Sequence, residues 1–158
     1  MKKVIRTEVL LVLLLAGVMF LLLYKKEPEN VPLEQVRRAI ASSCDLTGME
    51  EARDMRLKRA FGFGEADYEE YLYYAPVNTL SVDEVLIVKT GSTSQASRIR
   101  AGIEARIAAE KTAFDGYGTE QIALLNNAKL VEDGPYIVYA CGAHADDFVA
   151  AAKKVWGN

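Results

Sequence analysis

Glu84 to Thr90, EVLIVKT, is a nearly continuous run of β-branched and aliphatic residues, the pattern of an interior strand covered on both faces. Gly91 breaks it, and Ser92-Thr-Ser-Gln95 follows with capping-box spacing, in which side chains satisfy the free amides of a helix start. Ala96, Ile99, Ile103, Ile107 and Phe114 then recur on one side of the predicted helix, with Arg98, Arg100, Glu104 and Lys111 over much of the remainder. A strand, a glycine and a capped amphipathic helix in succession predict an α+β layer fold.

Upstream, Tyr68 to Ala75 (YEEYLYYA) is rich in residues that favour strands, and Pro76 stops it. Alternation places Tyr68, Leu72 and Tyr74 on one face and Tyr71 and Tyr73 on the other. Downstream, Asp115-Gly-Tyr-Gly118 reads as a turn and Thr119 as the cap of a short helix through Leu125. Lys129 to Glu132 and Pro135 to Cys141 form a predicted hairpin around Asp133-Gly134. Gly142 ends the strand, and Ala145 to Trp156 is an amphipathic helix with Phe148, Val149, Ala152, Val155 and Trp156 on one face. A strand-strand-helix unit thus occurs twice, which predicts a four-stranded, largely antiparallel sheet packed with helices and raises the prospect of an internal duplication. Ahead of it, Pro32 to Ser43 is a predicted helix, and Thr47-Gly-Met-Glu50 reads as a capping box opening a second helix that Gly62 and Gly64 end.

The amino-terminal stretch Val9 to Tyr24, VLLVLLLAGVMFLLLY, carries no charge over sixteen residues. As a helix it spans about 24 Å at ~1.5 Å per residue, and it approaches the bilayer core if Val4, Ile5 and Thr7 join it and Arg6 snorkels. Lys2, Lys3 and Arg6 precede the run and Lys25 and Lys26 follow it, a bias toward a cytoplasmic amino terminus. A cleaved signal peptide is the competing reading, but no small-x-small site follows the apolar core. The expected organisation is a cytoplasmic stub and single-pass transmembrane anchor over 1–26, a linker over 27–32 and one extracytoplasmic α+β domain over 33–158.

The net charge is −3. Setting aside Lys2, Lys3, Arg6 and Glu8 leaves 16 basic against 21 acidic residues beyond the anchor. That balance argues against a nucleic-acid partner, which needs clustered basic charge. Cys44 and Cys141 are too few for a disulfide scaffold, and whether they are bonded is left open. No cofactor or metal set is expected: His144 is the only histidine, and the acidic pairs match no calcium loop.

The YEEYLYYAP segment (Tyr68 to Pro76), DEVLIVK (Asp83 to Lys89), Ile103-Glu-Ala-Arg106 and the stretch from Phe114 through Tyr117, Glu120 and Gln121 to Asn126 are together distinctive. On these residues the chain resembles a bacterial family of small envelope proteins catalogued as domain of unknown function 4358. The resemblance implies an export or anchoring segment ahead of one compact domain, and it implies no reaction. Some members of that family look like lipoproteins, whereas here Val18 stands where a lipidated cysteine would follow Leu15-Ala16-Gly17.

Three stretches are candidates for chemistry. Cys141-Gly-Ala-His144-Ala-Asp146 brings a nucleophile, a base and a carboxylate near one another, though nothing adjacent marks an oxyanion hole. Tyr71 and Tyr73, with Tyr139 if the strand order allows, could form an open aromatic strip for a glycan or peptide, or lie under helices. Tyr117, Glu120 and Gln121 belong either to a binding loop around Gly116 and Gly118 or to a staple between two helices. The expectation is a membrane-anchored, non-enzymatic binding or interaction module of the cell envelope, with a protein or envelope-component partner. A small thiol-dependent enzyme using Cys141 and His144 is the alternative.

Overall fold

The computed structural model describes residues 12–16, 19 and 28–157. Val12–Ala16 and Met19 are helical, and most of the expected anchor lies outside the described residues. Among the described residues no helix is long and apolar enough to cross a membrane.

Five strands form one sheet: β1 (Met49–Glu51), β2 (Glu70–Pro76), β3 (Glu84–Lys89), β4 (Lys129–Asp133) and β5 (Tyr136–Cys141). Their order is β1-β2-β3-β5-β4 and every pair is antiparallel. Among the described residues from 28 on, the helices are α1 (Leu33–Ser43), α2 (Asp54–Phe61), α3 (Thr93–Ala113), α4 (Thr119–Asn126) and α5 (Ala145–Trp156), with a 3-10 turn over Glu65–Asp67.

Two apolar cores sandwich the sheet. On one face Leu72, Tyr74, Val85, Ile87, Val138 and Ala140 meet Leu33, Val36 and Ile40 of α1 and Phe148, Ala152 and Trp156 of α5. On the other, Tyr73, Leu86, Val88, Ile137 and Tyr139 meet Leu57 and Phe61 of α2, Ile99 and Ile103 of α3, and Leu125 of α4. Each fully buried aliphatic side chain contributes about 1.5–3 kcal/mol. Burial on both faces is why EVLIVK reads as an unbroken apolar run rather than an alternating one.

The α+β architecture stands as expected, with corrections. The fifth strand is β1, which replaces the predicted start of the second helix. Gly48 takes a left-handed φ of 79° and Asp45 Oδ1 accepts the Thr47 amide at 2.9 Å, so this segment is a turn into an edge strand, and α2 begins only at Asp54. The two strand-strand-helix units are not a repeat. The axis that relates antiparallel neighbours β3 and β5 stands perpendicular to the sheet and keeps each face on itself, yet α3 and α5 cover opposite faces. The capping of α3 follows the sequence: Ser92 Oγ accepts the Gln95 amide at 3.2 Å, and Gln95 Oε1 accepts the Gly91 amide at 2.7 Å.

The stretch read as a linker is fastened to the domain. Glu29 N donates to Trp156 O at 2.8 Å, and Val31 N donates to the buried Tyr136 hydroxyl at 2.7 Å. The Tyr136 ring stacks on Trp156 with centroids 4.2 Å apart. Leu33 N donates to Glu70 Oε2 at 3.0 Å. The chain therefore enters at the end of the sheet where β2 and β5 begin and β3 and β4 finish.

Candidate functional site

Three of the segments that carry the family resemblance converge on Glu84, whose side chain is buried. Tyr73 Oη donates to Glu84 Oε2 at 3.0 Å and Tyr139 Oη to Oε1 at 3.1 Å, while Arg106 Nε lies 3.2 Å from Oε1. Arg106 also pairs with Glu110. Burial works against the Arg106 charge, but Glu84 outweighs it and the guanidinium is held more firmly protonated than usual. Burial, and after it the Glu84 charge, pushes both phenols upward, so both remain donors. Two phenols and a guanidinium occupy this carboxylate. The group fixes α3 to the sheet and has no free base to offer. Tyr73 and Tyr139 do share a face, as alternation requires, but both rings are core and neither offers an open stacking platform.

Cys141 and His144 line one small recess with Asp83, without a hydrogen bond between them. Cys141 is buried, and burial, followed by the Glu84 charge, pushes its thiol up to about 12. His144 is exposed and its Nδ1 lies 3.1 Å from Asp147 Oδ2, not against the sulfur. A thiolate nucleophile needs the opposite environment. Both cysteines are free; Cys44 packs against the α1/α5 core and Cys141 against the other, so the sheet stands between them.

In the Phe114–Asn126 stretch, Phe114 and Leu125 are buried while Tyr117 is two-thirds exposed, its ring centroid 5.7 Å from Phe114. Gln121 Nε2 donates to Leu80 O at 3.3 Å, tying α4 to the β2–β3 loop. Glu120 faces solvent. These residues close the end of the domain remote from the chain entry and do not meet Tyr71.

Tyr71 lies in an open cleft of about 380 Å³ at the outer edge of β2. Leu33, Glu34 and Arg37 of α1 form one wall, Asp54, Glu65 and Tyr68 the other, and Glu69 to Leu72 the floor. Tyr68 and Tyr71 meet edge to face at 5.0 Å, and both hydroxyls donate to Asp54 Oδ1, Tyr71 at 2.7 Å and Tyr68 at 3.4 Å. Tyr68 thus shares Tyr71's side, contrary to simple alternation, because the strand begins only at Glu70. Burial, and with it Asp54, holds both phenols above their ordinary range, so they stay neutral. Five carboxylates line the cleft against one guanidinium, that of Arg37, which Glu34 and Glu51 already engage. Glu65 and Glu69 form no ion pair among the described residues, although the Glu69 charge acts on Lys89. Beyond Tyr68 the exposed Met55 lines an adjoining hollow.

The cleft exists because β1 is short. Its register runs from Met49 opposite Pro76 to Glu51 opposite Tyr74, and one further bond, Ala52 N to Tyr73 O, closes the ladder. Since Tyr73 turns its backbone toward β1, Tyr71 does the same two residues earlier. Its N–H and C=O point at the recess with no strand beside them. Sequence reasoning found Tyr71 but not Asp54, Glu65 or Glu69, although the density of acid around Tyr68 was a usable signal.

Fold and site together define a three-layer α+β domain with an acidic, tyrosine-lined notch at one sheet edge. The chain belongs to the family described as Domain of unknown function (DUF4358), whose model matches residues 42–142. No curated protein and no solved structure matches it.

Proposed function

We propose that this protein is a non-enzymatic binding module, tethered to the cell membrane by Val9–Tyr24 with its domain outside the cytoplasm, and that it takes a cationic group of a protein or envelope component in the Tyr68–Tyr71 cleft. The observation that carries the binding reading is the cleft itself: two neutral phenols above Asp54, with Glu65 and Glu69 in its lining and in no ion pair among the described residues. Aromatic faces and an excess of carboxylates both favour a cation. The tether rests on the charge-free run and its basic flank.

Two measurements test the two halves. Protease added to intact cells should degrade the domain; survival in intact cells with loss in lysed ones overturns the address. Tri-lysine amide titrated into the full chain in detergent micelles should shift the Tyr68 and Tyr71 amide resonances, with tri-glutamate inert. Equal response to both, or to neither, overturns the cleft.

A further inference from the structure

We propose that the open edge of β2 from Glu70 to Leu72 accepts an extended peptide as an added strand, and that the peptide carries Lys or Arg at alternate positions with apolar residues between. This rests on the cleft reading above and states how the partner is held. The notch is the line that β1 leaves when the chain turns away into α2, so an added strand continues the sheet where no described strand lies. Three open positions span about 10 Å at ~3.3 Å per residue. The free N–H and C=O of Tyr71 supply the backbone pair around which strand addition is built.

Side-chain alternation then sets the motif. Tyr71 points to the wall of Asp54, Glu65 and Tyr68, and Leu72 to the wall of Leu33. A bound strand places every second side chain on each wall: cationic ones meet Asp54 and Glu65, and the alternate ones lie along α1 beside the Glu34–Arg37 pair. An uncharged apolar side chain there adds no charge to an already satisfied pair. The same charge disfavours a second copy of this chain at the notch, because two acidic edges would repel; unpaired edges are protected against self-pairing in this way.

The experiment uses full-length protein in micelles and the probe acetyl-Lys-Val-Lys-Val-Lys-amide, followed by amide shifts and by hydrogen exchange at Tyr71. Two further peptides carry N-methyl groups, one on the lysines and one on the valines. In a strand only one of these sets donates to the sheet, so one methylated peptide should bind at least tenfold more weakly and the other as the parent does. Tyr71 should exchange more slowly only with the peptides that bind. The variant carrying both Glu65→Gln and Glu69→Gln, at surface positions without described ion pairs, should weaken the parent peptide several-fold. Equal binding of all three peptides overturns strand addition while leaving a cation cleft. Failure of these peptides and of tri-lysine amide alike overturns the cleft with it.

Discussion

Arg106 reaches from α3 to hold its guanidinium 3.2 Å from the carboxylate of Glu84 on β3, across the face of the sheet that Tyr73 and Tyr139 complete. The pair joins α3 to the central strand on a face that is otherwise apolar apart from the two phenols and Glu110. A charge so placed favours one register of α3, because sliding the helix by one residue would take the guanidinium away and leave the buried Glu84 charge with the two phenols alone.

Replacing Arg106 with Met should therefore cost about 3 kcal/mol, the low end for breaking a buried pair, since the guanidinium keeps some contact with water. Arg106→Lys should recover only part of this, losing the fork geometry. In urea denaturation the variant carrying both Glu84→Gln and Arg106→Met should be less destabilised than the sum of the two single changes. Strict additivity would mean the two groups are not coupled.

Tyr136→Phe tests the fastening of the entry segment. The hydroxyl accepts from Val31 N at 2.7 Å and lies 2.8 Å from Val31 O, and removing it leaves both groups unpaired while the stack on Trp156 survives. The expected loss is about 1–3 kcal/mol. Faster exchange at the Val31 amide and new protease cleavage near residues 28–32 should accompany it. Unchanged exchange at Val31 would show that the strap is held by other contacts.

Much of this architecture is legible in the chain, because its signals are local. EVLIVK announces a strand covered twice, Ser92 and Gln95 mark a helix start, and Asp133-Gly134 marks a hairpin. What escaped depends on partners far away in sequence. Met49–Glu51 carries no strand pattern of its own and pairs only because β2 presents an edge. Residues 28–32 look like a linker because Tyr136, more than a hundred positions on, is what binds them. The candidate site was half visible for the same reason: Tyr71 stands out by type, but Asp54 and Glu65 are ordinary surface acids until folding sets them around it. Helices α3 and α5 each follow a strand and a glycine in sequence and yet pack on opposite faces, which no local pattern records.

Glu70 links stability to acid. Burial alone would raise its pKa, but the Leu33 amide and the Lys89 ammonium outweigh burial and hold the carboxyl below its usual range. Its folded-state pKa is thus the lower one, so the unfolded chain takes up the proton first. The contribution is complete above the unfolded carboxylate range and is lost as pH falls through the folded value. Because Glu70 remains partly exposed, it should be worth no more than about 1 kcal/mol. Glu70→Gln should flatten the acid limb of stability against pH in urea titrations, and an unchanged acid limb would remove Glu70 from that role.

The two thiols should be distinguishable by reactivity. Raising Cys141 from its ordinary 9.0 to about 12 lowers the native thiolate fraction on the order of a thousandfold near neutral pH, and burial obstructs the reagent as well. Cys44 is less buried and its thiol is raised chiefly by what burial it has. A thiol-specific chromogenic reagent without reductant should titrate Cys44 first and Cys141 only with unfolding, and in urea both should react at similar rates. The contrast separates two readings of the Cys141 stretch, since a nucleophile poised for catalysis would react ahead of Cys44 in the folded protein. Fewer than two thiols after unfolding would instead reveal a bridge, which the sheet lying between the two cysteines rules against.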